Sequence, residues 1–302
     1  MALISKLSKR LRAKVGSWFH AFSQGSKISY LQEQLRQQQI SNDFLMALWM
    51  EVLPQHPNPL GQFGRKVFSQ TDEDGITEEI LRRIGLVHGT CVEIGSGDGL
   101  ENNTLSLLAR GWQGVWLDAR PLAFNPNCNP SILKNIREFV TAENVVELVR
   151  KGLDHFNQTG FDLLSIDVDG NDGYLAESIL LAKYNPSVVI VEINEILPPP
   201  VRFQQPYNAK YVWDKTKNSG WSLQSVADLM ERFGYDCVCC NPQTGVNAFF
   251  IHSRFRPLFP EVPTELSKIF VGRAAHPFKY KDHRTSVTAG LVESILVSSS
   301  RR

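Results

Sequence analysis

The sequence predicts an α/β protein built on a seven-stranded, mostly parallel sheet with an antiparallel last hairpin, preceded by an N-terminal helical extension. Three observations predict it. Short apolar runs bounded by turn residues alternate with helix-period segments from Thr90 to Ile193. The run Ser187–Ile193 (SVVIVEI) has the apolar character of a strand covered on both faces, as parallel strands are. The last two apolar runs, Tyr235–Cys240 and Val246–His252, are joined by Asn-Pro-Gln-Thr-Gly, a hairpin connection.

Taken in order, residues 1–24 place Ile4, Leu7, Leu11, Val15, Trp18 and Phe22 on one helical face, with Lys6, Lys9 and Arg10 towards the other. The first acidic residue is Glu33. Such a basic amphipathic helix suits an anionic membrane surface. It equally suits packing on its own domain or on a partner, and Gly16 counts against a long rigid helix. From Ile28 to Leu53, apolar residues fall at heptad-like spacing, but Gln38 and Asn42 interrupt the seam and argue against a coiled coil. Pro54, Pro57 and Pro59 then suggest a linker up to Gly64. Three regions follow: a helical extension over residues 1–60, a main domain over 61–260 and a tail over 261–302.

Within the main domain the pattern predicts a helix over Thr77–Ile84, a strand over Thr90–Ile94, a glycine turn over Gly95–Gly99, a helix, and a strand ending at Asp118. Further strands are expected at Ile136–Thr141 and Phe161–Val168, and helices at Glu143–Phe156, Gly173–Tyr184 and Ser222–Phe233.

Composition narrows the function classes. The chain has 302 residues, 42% hydrophobic and 21% charged, with a net charge of +1, so nothing global argues for a nucleic-acid partner. No apolar run approaches the roughly 20 residues that cross a bilayer. A signal-peptide pattern is also missing, so a cytoplasmic protein is expected, peripheral at a membrane surface if residues 1–24 bind there. The five cysteines, three of them in Cys237-Val238-Cys239-Cys240, have neither disulfide nor zinc-finger spacing and read as small buried strand residues.

The chemistry concentrates in two places. In the first, Glu93-Ile94-Gly95-Ser96-Gly97-Asp98-Gly99 lets the backbone turn sharply and approach a ligand, and Asp118 stands where a carboxylate accepts from ribose hydroxyls. Acids beside the glycines repel a pyrophosphate but tolerate the ammonium and sulfonium of S-adenosylmethionine. This stretch resembles motif I of the Rossmann-like, class I S-adenosylmethionine-dependent methyltransferases. The order Ser69-Gln70-Thr71-Asp72-Glu73-Asp74-Gly75-Ile76, then the glycine turn, Asn102-Asn103-Thr104-Leu105 and Gly111-Trp112-Gln113-Gly114, resembles the FkbM-type methyltransferase family over about Phe68–Ser253. The resemblance implies that Glu93, Gly95, Gly97, Asp98, Gly99, Asn103, Asp118 and Asp167 bind the cofactor; from their position one helix before the glycine strand, Ser69 and Gln70 are read as reaching it from across the strand ends. For Ser69 and Gln70, capping and packing are the alternative.

The second place is the pair of acidic loops Asp167-Val168-Asp169-Gly170-Asn171-Asp172 and Glu192-Ile193-Asn194-Glu195. Asp167, Asp169, Glu192 and Asn194 together would suit Mg²⁺ or another divalent cation, a grouping similar to that of metal-dependent O-methyltransferases. Helix capping by Asp167 and Asp172 is the alternative. Asp169 and Asp167 are the catalytic candidates, with His252 and His276 behind them. The long loop Leu197–Ser219 carries Phe203, Tyr207, Tyr211 and Trp213 and suits a sugar, glycan or other small polyhydroxylated acceptor. Methyl transfer to such a hydroxyl is the expected reaction. A glycosyltransferase using Asp167-Val168-Asp169, or a non-catalytic scaffold of the same fold, are the alternatives. Homo-oligomerisation is left open.

Overall fold

The computed structural model describes residues 57–214 and 219–272, together with scattered helical positions between 30 and 41 and between 289 and 297. Residues 1–24 and His276, singled out above, lie outside the described residues. The chain divides into two compact units, Met1–Pro54 and Gln55–Arg302. In the first, the described positions are exposed and helical, and Glu33 accepts a hydrogen bond from Gln37 one turn on.

The second unit contains one sheet of β1 (Thr90–Ile94), β2 (Gln113–Asp118), β3 (Leu133–Arg137), β4 (Leu163–Ile166), β5 (Val188–Glu192), β6 (Tyr235–Cys240) and β7 (Asn247–His252). Its spatial order is β3-β2-β1-β4-β5-β7-β6. β1 to β5 are parallel, whereas β7 runs antiparallel to both β5 and β6. This is the expected mostly parallel sheet with an antiparallel last hairpin. The chain runs outward from β1 to β3 and then returns to place β4 on the other side of β1. That reversal opens a crevice beyond the carboxyl ends of β1 and β4, where ligands of open α/β sheets bind.

The central strands are fully buried, and the helices Val145–Asp154, Asp172–Leu181 and Leu223–Arg232 cover the sheet with their apolar faces. Among the described residues no helix is long and apolar enough to cross a membrane. All five cysteines are free.

Four local differences from the sequence pattern have physical causes. β3 lies three residues earlier than expected, at Leu133–Arg137, because Leu133 and Ile136 align with Gly114 and Leu117 of β2. The apolar Phe139 and Val140 fall beyond its end. The helix expected from Thr77 begins at Glu73, since Glu73 and Asp74 occupy its first turn, where the helix dipole favours acids. The proline-rich stretch is not a linker at its end. Pro59–Phe63 form a 3-10 helix, and Asn58 donates from Nδ2 to the Val238 carbonyl of β6 at 2.7 Å. Finally, the region from 261 contributes Val262, Ile269, Val271, Val292 and Leu296 to the core.

Candidate functional site

The glycine turn sits at the mouth of the β1/β4 crevice. Gly95 has φ +89°, and a Cβ there would stand 1.7 Å from the Asp167 carbonyl, so the two strand ends touch backbone to backbone. Gly97 has φ +59° and donates its N–H to Asp118 Oδ2 at 2.7 Å. Asp118 therefore ties the turn to the end of β2 while bordering the crevice.

Glu93 acts inward. Its carboxylate accepts from the N–H groups of Asn103 (2.9 Å) and Thr104 (3.1 Å) and from the Thr104 hydroxyl. The single-turn helix Leu105–Leu108 thus has the N–H groups just ahead of it satisfied by the protein itself. Burial pushes the Glu93 carboxyl up to about 7. Asn103 donates from Nδ2 to Ser165 Oγ at 3.1 Å, fastening β1's loop to β4. Glu93 and Asn103 shape the turn, and both still border the larger cavity.

Ser69 is corrected. It is fully buried, and its hydroxyl and N–H both donate to Asp74 Oδ2 (2.8 and 2.7 Å), which closes the turn before the helix Glu73–Ile84. Gln70, by contrast, borders the cavity.

The acidic loops converge. Asp167, Asp169 and Glu192 each offer a carboxylate oxygen within 4.8 Å of the others. Asp172 builds the loop by accepting from Val168 N–H and Gly170 N–H, both at 2.8 Å. Asp169 is held at φ +61°, and its N–H donates to Glu192 Oε2 at 3.0 Å. Burial and the neighbouring acids push Asp167 up to about 8 and Glu192 well above the usual carboxylate range. Asn194 behaves differently from the expected fourth oxygen ligand. Its Nδ2 donates to the Ser219 carbonyl (2.9 Å) and its Oδ1 accepts from Ile196 N–H (3.2 Å), so the carboxamide shapes the following loop.

Three cavities meet at Asp169 and Trp213. One, of about 310 Å³, lies between Leu117, Asp118, Phe139, Val140, Val168 and Tyr211. Another, of about 590 Å³, runs from the glycine turn past Gln70 to Glu192, Thr244 and Asn247. A third, of about 80 Å³, lies beside Glu192, Asn194 and Gly220. Arg120 borders the two larger cavities, with Asp98, Asp118 and Asp169 as its charged neighbours, and its N–H donates to Asp118 Oδ1 at 2.7 Å. Sequence reasoning missed Arg120, although its place two residues after the β2 acid was a usable signal.

The aromatic loop is pinned over this site. Tyr207 packs on Tyr174 with ring centroids 5.1 Å apart and donates its hydroxyl to Glu143. Tyr174 donates to the Gln205 carbonyl at 2.8 Å and meets Trp221 edge-on. Those rings form a supporting cluster, which leaves Tyr211 and Trp213 on the cavity walls. His252 belongs to neither. It ends β7 opposite Tyr235, beside the start of β5 and so at the other end of the sheet, and its Nδ1 accepts from Arg254 N–H.

Comparison of the chain with models of known protein families returns no match, and comparison with curated proteins returns none.

Proposed function

We propose that this protein is an S-adenosylmethionine-dependent methyltransferase acting on a hydroxyl of a sugar or another small polyhydroxylated acceptor. The observation that carries the reading is the joint placement of the glycine turn, Asp118 and the Asp167–Asp169 loop around connected cavities at the switch point of the sheet.

The residues fit the donor's parts. Apolar walls from Leu117, Phe139, Val140 and Val168 beside Asp118 suit a purine with its ribose. Asp98 beside Gly95 and Gly97 suits a cationic amino-acid end. Ser96 Oγ is buried at the turn without a hydrogen-bond partner among the described residues, as expected of a group that a ligand satisfies. When bound, S-adenosylmethionine supplies an electrophilic methyl carbon on its sulfonium.

This chain's contribution is alignment and proton removal. Trp213 stands where the three cavities meet and would orient the acceptor. Asp169, the exposed member of the acidic group, would take the hydroxyl proton as the oxygen bonds to the methyl carbon and the carbon–sulfur bond breaks.

Calorimetric titration with S-adenosylhomocysteine and, separately, with a UDP-sugar tests the reading. Binding of S-adenosylhomocysteine that weakens in Asp118→Ala supports it. Binding of the UDP-sugar alone would transfer the site to glycosyl transfer, and binding of neither would leave the scaffold reading.

A further inference from the structure

The register of the last hairpin brings a residue to the acidic group that its sequence position does not suggest. Asn247, the first residue of β7, lies directly opposite Glu192, the last residue of β5, in the antiparallel pairing. Directly opposed residues project from the same face of a sheet, with Cβ atoms roughly 5 Å apart. Both residues border the cavity of about 590 Å³ that Asp167 and Asp169 also border.

Asn247 is 2% exposed, and the two ends of its carboxamide are used unequally. Nδ2 donates to Glu73 Oε1 at 3.0 Å, which fixes the amide with its oxygen turned away from Glu73. That oxygen, Oδ1, is buried and has no hydrogen-bond partner among the described residues. Leaving a buried amide oxygen unsatisfied is costly unless a hydrogen-bond donor or a cation meets its lone pairs. Three carboxyl groups stand nearby with oxygens within 4.8 Å of one another, and once ionised they repel each other unless a cation lies between them.

We propose that Asp167, Asp169, Glu192 and the Oδ1 of Asn247 form a binding site for a hard divalent cation, Mg²⁺ or Mn²⁺. An all-oxygen donor set is what such cations take, and carboxylate repulsion and the orphaned amide oxygen are relieved together by one ion. Asn247 thereby fills the role expected of Asn194, whose carboxamide is engaged in its own loop. Glu73 is the positioning residue, because its carboxylate selects which end of the Asn247 amide faces the ion.

The test uses the full chain, stripped with chelator and titrated with Mn²⁺, with binding read by calorimetry and by the paramagnetic relaxation of water protons. No methyl donor is added, so the outcome is independent of the methyltransferase reading. The expected result is one Mn²⁺ per chain, displaced by Mg²⁺, with affinity reduced on the order of tenfold or more in both Asp169→Asn and Asn247→Ala. The Asp169 side chain is exposed, and circular dichroism verifies that both Asp169→Asn and Asn247→Ala keep the fold. No Mn²⁺ binding by the folded wild-type chain, or unchanged affinity in either folded variant, overturns the proposal.

Discussion

Asn241 donates from one Nδ2 group towards four oxygens, and the contact with Asp72 Oδ1 at 3.0 Å joins the β6–β7 hairpin to a residue 169 positions earlier. The other oxygens belong to Thr71, Glu73 and Thr244, and Asn241 Oδ1 accepts from Asn247 N–H at 2.9 Å. One carboxamide thus fastens the segment before the first long helix to the hairpin that carries Asn247.

Removing that fastening is expected to be costly. Asn241→Ala leaves buried acceptors on Asp72 and Glu73 short of donors, and a loss of about 1–3 kcal/mol is expected from urea unfolding. A change below about 0.5 kcal/mol would show that the network is not under strain from its burial.

Stability should also depend on pH through buried carboxyls, Asp72 in this network and Glu93 at the glycine turn. Burial, and then the charge of Glu73, raise Asp72 from 3.8 to about 7, and burial raises Glu93 from 4.5 to about 7. Carboxyls raised on folding bind more protons in the native state than in the unfolded one. Their contribution is therefore fully present below the unfolded values and is lost as pH rises through about 7. Urea midpoints in chelator should fall between about pH 4 and pH 7, and Asp72→Asn should flatten that fall. A rising curve over this window would contradict the assignment.

Gly95→Ala tests the close approach of the strand ends. The added methyl group collides with the Asp167 carbonyl 1.7 Å away, at a φ of +89° that alanine disfavours. A destabilisation of at least about 2 kcal/mol is expected, together with loss of S-adenosylhomocysteine binding. Gly85, also at positive φ but with nothing near its added Cβ, serves as the control, and Gly85→Ala should cost only about 1 kcal/mol.

Asp118→Ala should weaken S-adenosylhomocysteine by about 1–3 kcal/mol in calorimetry, because ribose hydroxyls would lose a charged acceptor. Part of that loss would come from Gly97, whose N–H the same carboxylate holds. Asp118→Asn keeps an acceptor for Gly97 and separates the two contributions.

Arg120 places a positive charge near the acids, with Asp169 among its charged neighbours. Arg120→Ala should therefore strengthen Mn²⁺ binding, by about two- to fivefold at low salt, and the gain should shrink as salt is added. Weaker Mn²⁺ binding in this variant would mean that the arginine organises the loop more than it competes with the ion.

What was legible in the sequence was local. The glycine turn, the acid ending β2 and the Asp167–Asp172 loop each announce themselves within a few residues, because strand ends and tight turns need particular residue types at fixed offsets. Pairings across long sequence separations were not legible. Asn247 meets Glu192 only through the β5–β7 register, whereas Asn194, two residues from Glu192, looked the better partner. Ser69 looked available to a ligand until the first turn of the helix delivered Asp74 beneath it. β3 was misplaced because its interior Lys134 and Asn135 dilute the apolar signal of an edge strand, while Phe139 and Val140 imitate one.

Both borders of the sheet are blunted. β6 carries an irregularity between Cys237 and Cys239, and the intervening Val238 carbonyl is already occupied by the Asn58 side chain. β3, at the opposite border, presents Lys134 and Arg137. Bulges, capped carbonyls and cationic side chains are the devices that keep an open sheet from templating strands of other molecules. In a crowded solution, therefore, resistance to fibril-like self-pairing rests on a handful of side chains along the two borders, and Asn58→Ala would be the first place to look for its failure.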